Sequence, residues 1–180
     1  MKFKPLTISG SYWISSEEFI DDRGKFFRVF CDKIMVDNNI AFSVKQTNVS
    51  INPSNHTMRG FHYQNPPFKE SKILTCLSGA IYNVVIDLRK QSTTYLQHMV
   101  VEFSNQDAGS LFVPAGCANA FLTMESNTII YYLMGSHFLP KSYNGFRYND
   151  PFFNVKWPAQ PKAISIKDSQ YTDFKINNIS

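Results

Sequence analysis

Apolar and aromatic residues recur along the chain in runs of about five to eight, separated by clusters of Gly, Asn, Pro and Ser. Val, Ile, Thr, Tyr and Phe dominate these runs, which is typical of β-strands. The pattern predicts strands at residues 7–14, 25–30, 42–51, 58–63, 72–77, 80–88, 96–104, 110–113, 118–124 and 128–134. Only residues 32–38 and 166–171 show a helical pattern, and both segments are brief.

The connections between the predicted strands are short and rich in turn-forming residues, as at 52–55, 105–109 and 125–127. Such loops join antiparallel neighbours. Short strands at spacings of about 8 to 12 residues are typical of a sandwich or a barrel, so we expect an all-β fold. The segment from Tyr143 onward is loop-like yet aromatic, and we expect it to fold back over another part of the molecule.

The composition indicates a folded chain with one substantial core. Its 180 residues are 43% apolar and include 16 Phe and 9 Tyr, which excludes disorder. A domain takes roughly 100 to 200 residues, so we expect residues 1–180 to form a single domain. The N-terminal segment lacks the apolar core of a signal peptide, and no stretch approaches the ~20 apolar residues that span a bilayer. We therefore expect a cytoplasmic protein with no membrane partner.

Charge and cysteine content narrow the function classes further. The net charge of +4 arises from basic residues scattered along the chain, so we expect no nucleic-acid partner. A small anionic ligand would account for the excess of positive charge. Cys31, Cys76 and Cys117 are odd in number and widely spaced, which fits neither a disulfide framework nor a CxxC metal site. We interpret them as reduced packing residues.

The stretch from Arg59 to Gln64, RGFHYQ, carries the most chemistry. Histidine titrates near neutral pH, so His62 is a candidate for proton abstraction. The period of two in a strand places His62 on one face with Gly60 and Gln64, and turns Arg59 to the opposite face.

Several ordered segments of the sequence resemble the dTDP-4-dehydrorhamnose 3,5-epimerase family from about Asp21 to Asp168. These segments are DDRGKFFRVF, MRGFHYQ, SKILTCLSGAIYNVVIDLRKQSTTY, LFVPAGCANAFLTM, IIYYLMGSHFLP, YNDPFFNVKWP and SIKD. The resemblance implies a cupin-like antiparallel β-barrel (jelly roll), a homodimer, no metal and no cofactor. It also implies epimerisation of a nucleotide-linked 4-keto-6-deoxy sugar.

The resemblance assigns catalytic roles to four residues. A carbon next to a ketone loses its proton only if a base lies beside it and the enolate oxygen meets a cation or a donor. By match to the family, His62 is the base, and Asp168 bonds its other ring nitrogen and fixes the tautomer. Lys72 faces the sugar ketone, and Tyr132 is the acid on the far face of the sugar. The neighbouring Tyr131 is expected to point away from the site.

The resemblance also identifies the residues that bind the nucleotide. The positions around the diphosphate and the nucleoside are Arg23, Gln46, Asn48 and Arg59, of which Arg23 reaches across the dimer. Arginine suits a diphosphate because its planar fork binds phosphate oxygens bidentately. Phe27 packs beside the base. Arg28 stands where the family usually has glutamate, which leaves the identity of the base open.

Two further departures from the family pattern affect the sugar site. Asn119 stands where the family has a second histidine, and Phe138 stands where it has a second tyrosine. The wall against which the sugar settles thus lacks one titratable group and one hydroxyl. We expect one of the two carbons beside the ketone, C3 rather than C5, to be the preferred centre.

Three alternative functions are open at this point. A metal-dependent cupin coordinates its metal with three histidines. This chain has Gln64 and Asn119 at two of those three positions, so two of the ligands are missing. A 3,4-ketoisomerase moves the same type of proton to a neighbouring carbon, and the set of His62, Lys72, Tyr132 and Asp168 favours the epimerase over it. A non-catalytic paralogue that only binds the sugar nucleotide is the third alternative.

Overall fold

The computed structural model describes residues 1–176, which form fourteen strands and two short helices. The strands are β1 (Lys2–Pro5), β2 (Tyr12–Ser15), β3 (Glu18–Asp21), β4 (Gly24–Phe27), β5 (Gln46–Asn52), β6 (Thr57–Gln64), β7 (Lys72–Ser78), β8 (Ala80–Asp87), β9 (His98–Ser104), β10 (Gly109–Val113), β11 (Cys117–Thr123), β12 (Thr128–Met134), β13 (Tyr143–Gly145) and β14 (Ala163–Ile164). The helices are α1 (Asp32–Asp37) and α2 (Ile166–Gln170).

Two sheets form the body of the molecule. The first has the strand order β1-β2-β10-β7-β12-β5, and the second has the order β13-β6-β11-β8-β9 with β14 attached to β6. Neighbouring strands pair antiparallel, except that β14 runs parallel to β6. The hairpin β3–β4 forms a small sheet of its own. The expectation of an all-β, cupin-like antiparallel barrel with a few short helices is confirmed.

The main core lies between the two sheets. Leu74 on β7, Val85 on β8, Phe121 on β11 and Ile130 on β12 are almost fully buried in one cluster. Because side chains alternate along a strand, their neighbours face outward into two further clusters. Residues around α1 cover the outer face of the first sheet. The aromatic C-terminal segment covers the outer face of the second sheet.

The C-terminal segment folds back onto β6, as its aromatic content indicated. β13 pairs antiparallel with the end of β6, and β14 pairs with its start. In the second outer cluster, Phe146 stacks on Phe61 of β6 and Phe153 stacks on Phe146. This return brings α2 against β6 and thereby places Asp168 next to His62.

The predicted elements agree well with the observed ones, since each of the ten predicted strands overlaps an observed strand and both helices are present. The predicted strand 7–14 is wrong over its first half. Ser11 donates a backbone hydrogen bond to Ile8, and Gly10 has φ +75°, so a tight turn occupies this position. β1, β3, β13 and β14 were not predicted because they are short and lack a clear alternation. Within residues 1–176, neither helix is long and apolar enough to cross a membrane.

Candidate active site

A cavity of about 750 Å³ is lined by residues of β5, β6, β7 and β12 together with the returning C-terminal segment. Eight of the twelve predicted site residues line this cavity: His62, Lys72, Tyr132, Asp168, Gln46, Asn48, Arg59 and Phe138. The four predicted catalytic residues thus share one cavity, although they are up to 106 residues apart in the chain.

His62 and Asp168 form a hydrogen-bonded pair in this cavity. The distance between His62 Nε2 and Asp168 Oδ1 is 2.8 Å. The second carboxylate oxygen, Oδ2, accepts a hydrogen bond from the backbone N–H of Gly60 at 3.2 Å. Ser165 caps the N-terminus of α2 by accepting a hydrogen bond from the Asp168 N–H, which fixes the carboxylate at the first turn.

The Asp168 carboxylate is ionised at neutral pH. Burial opposes its ionisation, but the hydrogen bonds from His62 and Gly60 outweigh that effect and hold the pKa of Asp168 below its ordinary value. A carboxylate can only accept, so the proton of the neutral imidazole lies on Nε2. Nδ1 of His62 then carries the lone pair available to a substrate.

Arg59 lies on the same side of β6 as His62, contrary to the prediction from strict alternation. The pairing of β6 with β11 shifts between Asn119↔His62 and Phe121↔Arg59, so β6 has one extra residue at this point. Gly60 occupies the shift with φ +108°, and a Cβ atom there would lie 2.5 Å from the Asn119 carbonyl oxygen. The bulge thus requires glycine and turns both the cation and the histidine toward the cavity.

Lys72 is buried beside a carboxylate that the sequence interpretation missed. Its Nζ lies 3.0 Å from Oε1 of Glu70, and both side chains are nearly inaccessible. The Gln64 amide lies 3.5 Å from Oε2 of Glu70 and also bonds the 137–139 segment. β7 lies between β10 and β12, so Lys72 is on an interior strand.

Tyr132 reaches the cavity from β12, whereas Tyr131 packs into the outer cluster around α1, as predicted. Burial raises the pKa of Tyr132 above its ordinary value, although Arg59 and the Ser50 hydroxyl oppose the shift. The phenol is therefore protonated at neutral pH and can act as a donor.

Tyr143 and Lys167 complete the wall, and Tyr171 packs behind it against His62. The sequence interpretation missed all three. Tyr143 on β13 lies between His62 and Phe138, with ring centroids 5.2 Å and 5.1 Å away. Tyr171 approaches the His62 ring edge-on, and burial raises its pKa to about 12. Lys167 lies over the Tyr143 ring. No local pattern marks these residues, because only the fold of the C-terminal segment brings them to the site.

Four predicted substrate-binding residues do not line the cavity. Arg23, Phe27 and Arg28 lie in or beside the β3–β4 hairpin, where Arg23 pairs with Asp21 in the same turn. Arg23 and Arg28 are exposed. Within this chain, then, the hairpin does not contribute to the cavity.

Asn119, the fourth of these residues, is bonded to the protein interior. Its amide nitrogen lies 2.7 Å from the Asn83 amide oxygen and donates to the Val84 carbonyl at 3.0 Å. Its side chain is 6% exposed and does not line the cavity. The prediction that Asn119 binds the sugar therefore lacks support from the geometry, even though Asn119 pairs with His62 in register. Residues 1–176 contain no group of three His, Cys, Asp or Glu side chains that could hold a metal ion.

A cupin-like barrel that holds a histidine–carboxylate pair, a lysine and a phenol in one cavity is equipped for proton transfer at carbon, the chemistry of an epimerase. The sequence of residues 5–175 matches the family model described as dTDP-4-dehydrorhamnose 3,5-epimerase. The chain belongs to this family of isomerases. The family and the epimerase function inferred from the sequence are both confirmed.

Individual relatives agree with this assignment. The dTDP-4-dehydrorhamnose 3,5-epimerase of Sinorhizobium fredii is 33% identical, over 94% of this chain and 87% of that protein. The crystal structure of the Bacillus anthracis enzyme with TDP and PPi bound is 29% identical and superposes with a TM-score of 0.92, covering 96% of this chain and 99% of that one. A 3'-monoepimerase from Streptomyces bikiniensis in complex with dTDP-quinovose is 26% identical, with a TM-score of 0.85 and coverage of 94% and 86%.

Proposed function

We propose that residues 1–180 form a single epimerase domain that binds a nucleotide-diphosphate-linked 4-keto-6-deoxy sugar. The enzyme inverts C3, and inverts C5 when the sugar adopts a second pose. The observation that carries this proposal is the 2.8 Å contact between His62 Nε2 and Asp168 in a cavity that also holds Lys72 and Tyr132.

His62 removes the proton from the carbon beside the ketone. Asp168 holds Nε2, so Nδ1 accepts the proton and the resulting imidazolium is stabilised by the carboxylate. The electron pair of the broken C–H bond moves onto the ketone oxygen and forms an enolate. Lys72 lies on the cavity wall and stabilises that negative oxygen.

Inversion requires that a proton return on the opposite face of the sugar. Tyr132 reaches the cavity from β12, on the other sheet from His62, and its phenol is protonated. It donates its proton to the carbon as the enolate collapses back to the ketone. Solvent then restores the proton to the Tyr132 phenolate and removes the proton from His62, so the cycle is balanced.

Arg59, Gln46 and Asn48 bind the nucleotide diphosphate. Arg59 is oriented by its Nε–H, which donates to Asn52 Oδ1 at 2.8 Å and leaves the remaining guanidinium donors for phosphate oxygens. The relative from Bacillus anthracis was crystallised with TDP, which supports thymidine as the nucleoside. Cytoplasmic localisation stays a prediction.

The protein acts as a homodimer in which the β3–β4 hairpin of one subunit reaches the cavity of its partner. On the hairpin, Phe19, Ile20 and Phe26 are 61%, 74% and 69% exposed. Such an apolar surface is typical of an interface. Within one chain, Arg23, Phe27 and Arg28 are outside the cavity. In the dimer they contact the partner's cavity and can bind the substrate there.

The His62→Ala variant tests the proposed function. It should abolish epimerisation of dTDP-4-keto-6-deoxyglucose and leave dTDP affinity within a few-fold, because the loss of a base affects the transition state rather than nucleotide binding. His98→Ala is the matched control, since His98 lies exposed on β9. Near wild-type turnover in His62→Ala would contradict the mechanism.

A further inference from the structure

Tyr143 occupies a position in the cavity that the mechanism above does not use. It pairs with Gln64 at the end of β6, two residues beyond His62. Its ring lies 5.2 Å from the His62 ring and meets Phe138 edge-on at 5.1 Å. Tyr143 therefore lies next to both the base, His62, and Phe138, which lacks the hydroxyl that the family has at its position.

The Tyr143 hydroxyl is open to the cavity. Within residues 1–176 no protein group forms a hydrogen bond with it, although the side chain is partly buried. Lys167 contacts the face of the ring, with Nζ 4.6 Å from the centroid, and so restrains the ring rather than the hydroxyl. A restrained phenol without a protein partner is suited to bind a ligand.

This hydroxyl is a donor at neutral pH. Burial raises the pKa of Tyr143 far above its ordinary value, and the neighbouring Tyr171, Asp168, Glu70 and Tyr132 raise it further. Tyr143 lines the same cavity as the His62–Asp168 pair and the Glu70–Lys72 pair, where the proposed mechanism places the reacting sugar carbon.

The two carbons beside the ketone of a 4-keto-6-deoxy sugar differ in what they carry. C3 carries a hydroxyl group, whereas C5 carries a methyl group and the ring oxygen. Because the Tyr143 and His62 rings lie 5.2 Å apart, a substituent on the carbon that faces His62 comes within reach of Tyr143. That substituent is the C3 hydroxyl in one pose and the C5 methyl group in the other. A donor beside the base thus binds one pose more tightly than the other.

We propose that the Tyr143 hydroxyl binds the C3 hydroxyl of the substrate and selects the pose in which C3 faces His62. The inference rests on the proposed function and adds a residue that determines which centre is inverted. The phenol of Tyr143 thereby supplies a hydroxyl in a wall where Phe138 has none.

Tyr143→Phe removes only this hydroxyl. At substrate concentrations below KM in heavy water, deuterium exchange at C3 should fall about five- to tenfold, while exchange at C5 should not fall. Affinity for dTDP, which lacks the sugar, should stay unchanged and reports that the variant is folded. Tyr131→Phe is the matched control, because it removes a phenol hydroxyl from the outer cluster, away from the cavity.

A substrate analogue tests the same contact from the other side. The wild-type enzyme should bind the dTDP-linked 4-keto-3,6-dideoxy sugar, which lacks the C3 hydroxyl, about five- to tenfold more weakly than the 3-hydroxy substrate. Tyr143→Phe should bind the two equally, since the donor is already absent.

Two results would overturn the inference without affecting the proposed function. One is a C3 exchange rate in Tyr143→Phe within twofold of wild type. The other is unchanged discrimination between the substrate and its 3-deoxy analogue. Failure of the wild-type enzyme to exchange either carbon would instead overturn the proposed function, together with the inference that depends on it.

Discussion

At the residue scale, the properties of the site depend on partners that the local sequence does not show. Asp168 looks like a solvated charge in a polar tail, yet it is 5% exposed and bonded to both His62 and the backbone of Gly60. Lys72 is bonded to Glu70, two residues away. The reactive groups are therefore held in place before any substrate binds.

Asp168→Asn should lower the epimerisation rate by at least about 100-fold. An amide can donate to Nε2, which would move the imidazole proton to Nδ1 and block the base. Steady-state assays with dTDP-4-keto-6-deoxyglucose would measure the loss. Asp173→Asn, which changes an aspartate paired with Arg147 outside the cavity, should leave the rate within twofold. A comparable loss in both variants would contradict the role of Asp168.

Asp87 should make stability depend on pH. It is fully buried, and although burial opposes ionisation, hydrogen bonds from Arg89, Ser92 and Thr94 lower its pKa to about 2. The pKa is thus lower in the folded than in the unfolded chain, where it is about 3.9. The resulting stabilisation, on the order of 2 kcal/mol, is present above pH ~4 and is lost as the pH falls toward 2.

Thermal unfolding of wild type and Asp87→Asn checks this expectation. The melting temperature of Asp87→Asn should lie below that of wild type at pH 7, and the gap should narrow between pH ~4 and pH ~2. A gap that stays constant over this range would show that ionisation of Asp87 does not stabilise the fold.

At the element scale, the bulge in β6 sets the geometry of the cavity. It interrupts the alternation of side chains between the two faces of β6, so that Arg59 and His62 both line the cavity. The return of β13 and β14 to the two ends of the same strand then encloses the site.

Gly60→Ala should destabilise the protein and abolish activity, because its Cβ would overlap the Asn119 carbonyl at a positive φ. Gly24→Ala separates the effect of the positive φ from the effect of the steric overlap. Gly24 also has a positive φ (+120°), but no atom lies within 4 Å of its Cβ position. Calorimetry should show a clearly larger drop in melting temperature for Gly60→Ala. Equal drops would mean that backbone conformation alone, and not the close approach of β11, requires glycine.

The strands were predictable from the sequence because their alternation and their turn residues are local signals. The face of β6 on which Arg59 lies was not predictable, because it is set by a bulge, and a bulge depends on the pairing with the partner strand. Glu70 and Tyr143 were missed because each reaches the cavity only through tertiary packing, and Tyr171 was missed because only that packing brings it against the His62 ring. Asn119 was assigned to the sugar site by its position in a motif, but its amide bonds Asn83 and the interior backbone instead.

At the scale of the whole molecule, the proposed dimer gives the exposed hairpin a function. Light scattering should give a mass of twice 20.7 kDa in solution. Ile20→Ser should shift the protein toward the monomer and weaken dTDP binding, because the hairpin would no longer be held against the partner's cavity. Val36→Ser is the control, since Val36 is 69% exposed on α1, outside the hairpin. A wild-type monomer with full activity would contradict the shared site.

In the proposed function, one cavity takes a proton from a carbon beside the sugar ketone and returns a proton to the other face of that carbon. Proton NMR in heavy water with dTDP-4-keto-6-deoxyglucose and the wild-type enzyme tests it most directly. Deuterium should appear at C3 with inverted configuration while the ketone stays at C4. Deuterium at C4 with the ketone moved to C3, or no incorporation at all, would contradict it.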